Sequence, residues 1–239
     1  MIPAGCPTRC PEENKLEDQR FETALYTIPE AARFLGVPVA TFASWIDGPA
    51  VRASQTRLVS SLPAPPQYPA IPFIGLVEGM VVAAFRRAGV SMQHIRKALP
   101  LVEKRIGLEH ALASRRLYTD GAAILYDFAQ REEEGKVLTA VVTGQRVFTP
   151  IVASYLQRIG YAPDEWADRL ILPITERRLI EVDPRRAFGR PVFVKGGARM
   201  EDVIDRFRAG ERLHSVAKDF DLATQDVEDV IRAALPQAA

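Results

Sequence analysis

The feature that most constrains this chain is the segment YTIPEAARFLGVPVATFASWI at residues 26–46, which predicts two short helices and a tight turn. Thr27 is suited to cap the first helix, because its hydroxyl can accept a hydrogen bond from a free N–H of the first turn. Gly36 can end that helix in the left-handed conformation, and Pro38 can begin the next one. The apolar residues of the first helix recur at the spacing of one buried face, at Ile28, Ala31, Ala32 and Leu35. The segment therefore predicts a helix-turn-helix.

The second predicted helix, residues 39–46, has the shape to enter a major groove but carries no lysine, arginine, asparagine or glutamine. Its buried face is predicted at Val39, Phe42 and Ile46. Thr41 and Ser44 then point outward, and their hydroxyls can reach base edges or phosphates. Phosphate contacts must come from flanking arginines, of which the candidates are Arg33, Arg52 and Arg57, with Arg86 and Arg87 further along. The alternative is a helix pair used only for packing.

The positive charge of the chain is concentrated in the region that contains this helix pair. The 239 residues carry a formal net charge of +1. Residues 26–118 hold 11 basic and 5 acidic side chains, a net charge of +6. Residues 119–180 hold 7 and 9, and residues 181–239 hold 10 and 11, so both later regions are slightly negative. This distribution favours a polyanion as the partner of the basic region alone.

The patterns along the chain predict an α+β fold. Residues 1–25 are predicted to be a flexible leader, and residues 26–118 a helix-turn-helix domain. Within that domain the proline-rich residues 49–72 form an irregular connection or the strands of a wing. Residues 119–180 contain short Val-, Ile- and Leu-rich runs bounded by turn residues, so they are predicted to be β-rich. Residues 181–239 are predicted to form a mainly helical C-terminal domain.

Three local predictions are made within these regions. A helix that begins at Met92 is expected to be interrupted at Pro100. The apolar run that begins at Leu117 is predicted to be a strand. Thr149 and Pro150 are predicted to open a helix that Gly160 ends.

No motif in the sequence indicates export, membrane insertion or catalysis. No apolar run reaches the ~20 residues that a membrane-spanning helix needs, and the first 25 residues lack a secretory pattern, so the cytoplasm is the expected location. Cys6 and Cys10 have no histidine nearby, so neither a metal nor another cofactor is expected. Neither a phosphate-binding loop nor a nucleophile motif is present, and the chain is predicted not to be an enzyme.

A second helix-turn-helix pattern lies near the C terminus, and its charge is the opposite of the first. Residues 200–235 predict three short helices separated by turns. The last helix and the turn before it carry five carboxylates, those of Asp219, Asp221, Asp226, Glu228 and Asp229. Turned toward a phosphate backbone, these groups would repel it. The second unit is therefore expected to contact protein instead of DNA.

The helix pair, followed by FIGLVEGMVVAAFRRAGVSMQHIRKAL, resembles the winged-helix DNA-binding domain of MerR-type regulators. The similarity extends to AGVS at residues 88–91 and to the pair Ile95 and Arg96. It implies a DNA-binding domain over residues 26–118. MerR proteins usually place an arginine and an aromatic residue at the end of the second helix, whereas this chain has DGP at residues 47–49.

Residues 182–235 resemble the domain-of-unknown-function family number 433. The shared elements are DP at residues 183–184, GRP at 189–191, GGAR at 196–199 and Gly210. The whole arrangement over residues 26–236 is similar to mycobacterial antitoxins of the VapBC class. That resemblance implies the antitoxin of a type II toxin–antitoxin system, which neutralises a PIN-type ribonuclease toxin and binds its own promoter DNA as a homodimer.

The toxin contact and one alternative function stay open at this point. An inhibitor of a metal-dependent ribonuclease commonly presents an arginine or a blocking loop, and the candidates are Arg185, Arg186, Arg190 and Arg199. The charge distribution fits equally well a stand-alone MerR-like transcription regulator with a C-terminal dimerisation module. An adjacent toxin gene would favour the first function, and its absence the second.

Overall fold

The computed structural model describes residues 19–46, 57–121, 139–142 and 145–234, so Cys6, Cys10 and Arg52 lie outside the described residues. Helices and two antiparallel sheets confirm the predicted α+β class. The helices are α1 Ile28–Leu35, α2 Val39–Ile46, α3 Phe73–Arg87, α4 Met92–Ile106, α5 Pro150–Leu156, α6 Met200–Arg208, α7 Leu213–Asp219 and α8 Thr224–Ala234. The strands are β1 Thr139–Val142, β2 Gln145–Phe148, β3 Ile159–Tyr161, β4 Ala167–Ile171, β5 Ile180–Val182 and β6 Val192–Phe193.

The predicted helix pair is confirmed, and its first helix begins with a complete capping box. The Thr27 hydroxyl accepts a hydrogen bond from the Glu30 N–H (3.3 Å), while the Glu30 carboxylate accepts one from the Thr27 N–H (2.8 Å). Gly36 ends α1 with a φ of 63°. Gly79 of α3 lets the pair pack closely, because a Cβ at this position would lie 2.7 Å from the Phe42 ring.

α3 lies at the centre of the N-terminal core, with every residue from 73 to 85 buried. α4 packs beside it and contains Pro100, where the sequence predicted an interruption. That prediction is wrong, because proline removes a single N–H donor and the buried Leu99 and Val102 hold the helix on the core to both sides. No helix in the described part of the chain is long and apolar enough to cross a membrane.

The connection between α2 and α3 is irregular over its described part, residues 57–72. One β-bridge there pairs Ile71 with Tyr26, just before α1. The Ile71 N–H donates to the Tyr26 carbonyl oxygen (2.9 Å), which fastens the end of the connection to the start of the helix pair. Residues 57–72 therefore agree with the predicted irregular connection. Residues 47–56 lie outside the described residues.

The predicted flexible leader is wrong for residues 19–25. Residues 19–22 are helical, and Arg20 is only 6% exposed, with its guanidinium paired to the Asp164 carboxylate. The Phe21 ring meets the Trp166 ring edge-on, with centroids 5.2 Å apart. Because the ring is packed and the buried charge is paired, this segment belongs to the folded core.

Four short strands form an antiparallel sheet in the order β3-β4-β5-β6. Leu170 pairs with Val182 and Ile180 with Phe193, and all four side chains are buried. The apolar runs over these residues are confirmed as strands, as are those of the β1–β2 hairpin. β5 crosses the predicted boundary at residue 180, so the sheet joins the predicted middle and C-terminal regions.

Two other predictions for the middle region are wrong. The residues Leu117–Gly121 form a π-helical turn instead of a strand. α5 ends at Leu156, and Gly160, the predicted end of that helix, lies in β3. The three predicted C-terminal helices are confirmed as α6, α7 and α8, and one continuous buried cluster runs from Tyr26 to Ile231.

Candidate nucleic-acid interface

α2 presents an uncharged polar face to solvent. Thr41 and Ser44 are exposed, whereas Phe42 and Ile46 are buried. The predicted burial of Val39 is wrong, because this first residue of the helix is 47% exposed. The Ser44 hydroxyl donates to the Thr41 carbonyl oxygen (2.7 Å). Apolar and hydroxyl groups on this face can therefore approach a groove, but charge must come from other elements.

Two arginines from later helices bind the carbonyl ends of the helix pair. The Arg87 guanidinium donates to the carbonyl oxygens of Leu35 (3.1 Å) and Gly36 (3.3 Å) at the end of α1. The Arg96 guanidinium donates to the carbonyl oxygen of Ser44 in the last turn of α2 (2.8 Å). Cations at these positions are favoured by unpaired helix carbonyls and by the helix dipole. Positive charge thus lies beside α2, although α2 itself has none.

The sequence pointed to Arg96 only through the MerR-like similarity. Its contact with Ser44 joins residues 52 positions apart, and a contact over that separation leaves no local pattern in a sequence. Burial lowers the pKa of Arg96 from its ordinary value, and that ordinary value is high enough to keep the guanidinium charged.

Arg33 and Arg57, two of the arginines predicted to contact phosphate, line different surface cavities. Arg33 is exposed on α1, stacks over Phe34 (5.6 Å to the ring centroid) and lines a groove toward α6. Arg57 lines a different cavity, beside Glu78 and Glu103. The role of these arginines at DNA stays a prediction.

The C-terminal region contacts the first helix of the pair directly. The Tyr26 side chain is fully buried, and its hydroxyl donates to the Gly189 carbonyl oxygen (2.9 Å). The Arg190 guanidinium donates to the Glu30 carboxylate (2.7 Å). Burial opposes the ionisation of Glu30, but hydrogen bonds from Thr27 and Arg190 outweigh it and hold the pKa of Glu30 below its ordinary value. An arginine of the C-terminal region therefore supports the capping box of α1.

The sequence predicted that the carboxylates of the second helix-turn-helix are turned outward. For Asp226 this prediction is wrong. This carboxylate is 4% exposed and forms an ion pair with Arg177 (2.5 Å), although the carboxylate oxygen that pairs lacks a well-aligned hydrogen-bond donor. Arg177 also donates to Asp229 (3.1 Å), and Glu228 pairs with Arg232 within α8. Arginines of the same chain thus neutralise these carboxylates, so their repulsion of DNA is weaker than the sequence predicted.

A serine, a histidine and a carboxylate meet beside α3, but their geometry is not that of a nucleophilic triad. Ser60 Oγ and Glu78 Oε1 each lie 2.9 Å from the same nitrogen, His110 Nδ1. A triad uses both ring nitrogens, one for the nucleophile and one for the carboxylate. The cluster instead satisfies the buried Glu78, whose carboxylate also accepts the Ser60 N–H (2.6 Å). Across the described ranges, no three His, Cys, Asp or Glu side chains gather closely enough to hold a metal ion.

Both ends of the chain match known protein families. Residues 24–99 match the family described as "Putative DNA-binding HTH domain". Residues 180–233 match the family described as "Protein of unknown function (DUF433)". The two matches define two segments of the chain, the helix-turn-helix module at residues 24–99 and the DUF433 module at residues 180–233.

A mycobacterial protein is similar to this chain over almost its full length. The chain is 41% identical over 230 residues to "Putative antitoxin VapB45" of Mycobacterium tuberculosis strain H37Rv, covering 90% of this chain and 95% of that protein. The crystal structure of Rv2018 from Mycobacterium tuberculosis superposes with a TM-score of 0.80 at 40% identity, covering 89% of this chain and 99% of that one. The chain belongs to the same family as VapB45, which confirms the resemblance to VapBC-class antitoxins.

Proposed function

We propose that this protein is a cytoplasmic antitoxin that binds its own promoter DNA and neutralises a PIN-type ribonuclease toxin. The observation that carries the proposal is the direct contact of the DUF433 module with the start of the helix pair, through Glu30 of α1 with Arg190 and through Tyr26, just before α1, with Gly189. A module in contact with the DNA-binding helices can link toxin binding to DNA binding. The relative's name, which is that of an antitoxin, supports the same function.

For DNA binding, α2 enters the major groove and contacts bases through Thr41 and Ser44. The uncharged face of α2 limits direct readout, since bidentate base contacts come mainly from arginine, lysine, asparagine and glutamine. Most of the affinity therefore comes from phosphate contacts by arginines around the helix pair. In a homodimer, two copies of α2 read two half-sites about one helical turn apart.

The DNA-binding part of the proposal is tested by titrating the promoter duplex and a scrambled duplex, followed by fluorescence anisotropy at several salt concentrations. Single alanine variants of Arg33, Arg52 and Arg57 are each expected to reduce the slope of log K against log salt by about 0.9. The matched control is Arg232→Ala, which removes an exposed arginine paired with Glu228 on α8. Slopes that stay at the wild-type value in the three variants would exclude these arginines from the phosphate contacts.

The antitoxin part is tested by co-expressing the chain with the protein encoded by the adjacent gene. A PIN-type ribonuclease is expected to co-purify with the chain and to lose activity in the complex. If the adjacent gene product neither binds nor is inhibited while promoter binding persists, the antitoxin function is refuted and a stand-alone regulator is favoured. Light scattering of the purified chain measures the proposed homodimer.

A further inference from the structure

The loop at residues 185–190, sequence RRAFGR, presents an aromatic side chain to solvent. Phe188 is 90% exposed, more than any other large apolar side chain in the described part of the chain. A single exposed apolar residue is ordinary on a protein surface. This one is unusual because of its backbone and its neighbours.

Three successive residues of the loop have left-handed backbone conformations. The φ angles are 46° at Ala187, 53° at Phe188 and 72° at Gly189. Residues other than glycine avoid this region, because the Cβ approaches the carbonyl oxygen of the same residue. Such strain persists only where surrounding contacts enforce it, and it concentrates at functional sites.

Contacts on both sides of Phe188 enforce this conformation. On one side, Arg185 donates to the carboxylates of Asp183 and Asp168, each at 3.0 Å, and Arg186 pairs with Glu181. On the other side lie the hydrogen bond from Tyr26 to Gly189 and the ion pair between Arg190 and Glu30. The loop is held at both ends, so little conformational entropy is left to lose when a partner binds Phe188.

The chemistry of the loop defines the surface that it fits. The side chains of Arg185, Arg186 and Arg190 are 48%, 45% and 40% exposed, so their guanidinium groups, although paired within the chain, keep N–H donors that can reach the carboxylates of a partner. Each is already paired with a carboxylate of this chain, so none is free to leave the loop and enter a partner's site. The complementary surface is an apolar pocket for one ring, bordered by carboxylates. Phenylalanine and arginine are both enriched at protein–protein interfaces relative to the rest of the surface.

We propose that Phe188 is the apolar anchor by which this protein binds its toxin, in a toxin pocket bordered by carboxylates. The proposal rests on the proposed antitoxin function. The proposal also gives the attachment of the loop a role. A toxin bound at Phe188 would lie next to Gly189 and Arg190, and these two residues contact Tyr26 and Glu30 at the start of the helix pair.

The test measures the affinity of the purified full-length chain for the PIN-type protein encoded by the adjacent gene. Phe188→Ala and Phe188→Gly are each expected to weaken binding by about 30-fold or more, the level of a hot-spot residue. Phe188→Gly keeps the experiment interpretable, because glycine adopts a φ of 53° without strain and the variant should be at least as stable as wild type. The matched control is Tyr68→Ala, which removes another exposed aromatic side chain (65%) from the connection before α3 and should leave affinity unchanged.

The outcomes separate this proposal from the function on which it rests. If wild type binds the toxin and both Phe188 variants bind within about threefold of it, the anchor is refuted while the antitoxin function stands. A wild-type chain that does not bind the toxin refutes the antitoxin function and the anchor together. If the Phe188 variants keep toxin affinity but change the mass of the free chain in light scattering, the loop joins two copies of this chain and the proposal is wrong.

Discussion

Replacing Tyr26 by phenylalanine isolates the hydrogen bond that joins the two modules. The ring stays in place, and only the hydroxyl that donates to the Gly189 carbonyl (2.9 Å) is lost. The Tyr26 side chain is fully buried, and burial raises the pKa of its hydroxyl, so this group remains a donor at every pH at which the protein would be studied. Gly189 is buried as well, so water cannot replace the lost donor without local rearrangement.

The expected cost follows from that geometry. A neutral hydrogen bond contributes about 0.5–1.5 kcal/mol, and leaving a buried partner unsatisfied costs about 1–3 kcal/mol. We therefore expect Tyr26→Phe to lower the free energy of unfolding by about 1–2 kcal/mol. For a chain of this length, that corresponds to a fall in Tm of about 2–8 °C.

Tyr161→Phe is the matched control. Tyr161 is also a largely buried tyrosine, but its hydroxyl has no hydrogen-bond partner among the described residues. Removing that hydroxyl should leave the free energy of unfolding unchanged or raise it by up to about 1 kcal/mol. Both variants are compared with wild type by urea unfolding followed by circular dichroism. The reasoning is refuted if the two variants have the same stability, or if Tyr26→Phe unfolds at the wild-type urea midpoint.

Three further predictions concern specificity, backbone conformation and pH. Thr41→Val should reduce the ratio of promoter to scrambled-duplex affinity by up to about tenfold while leaving the scrambled affinity unchanged, as read by anisotropy. Gly189→Ala should destabilise by about 1–3 kcal/mol more than Gly107→Ala in urea unfolding: both glycines have positive φ, but only at residue 189 would a Cβ meet other atoms within 3.0 Å. The hydrogen bond to Glu78 raises the pKa of His110 against the effect of burial. The stabilisation that protonated His110 gives the folded protein is therefore full below about pH 6.5, and it is lost as the pH rises through the folded-state pKa. The difference in Tm between wild type and His110→Gln should therefore shrink as the pH rises above about 6.5, and a difference that grows with pH would contradict the assignment.

Features encoded over a few consecutive residues were predictable from the sequence. The capping box of Thr27 and Glu30 and the left-handed Gly36 define α1 locally, because each contact spans four residues or fewer. The apolar runs that became β4 and β5 carried their own turn signals. The helix-turn-helix, the DUF433 family and the similarity to VapBC-class antitoxins could be identified from short motifs, while the MerR-like character of the first module and the domain boundaries remain predictions. Limited proteolysis of the purified chain would locate those boundaries.

Contacts between distant residues were not predictable, and these decide the candidate site. Arg177, in the turn between β4 and β5, neutralises Asp226 of α8, and Arg190 reaches Glu30 over a separation of 160 positions. Arg33 and Arg57 lie close in sequence but line different cavities. Charge counted along a chain gives the correct total, but the electrostatic field depends on distances in space. Those distances are set when the sheet and the helices pack into one core. Packing fixes which charged side chains come into contact, and a charge that packing buries must be paired.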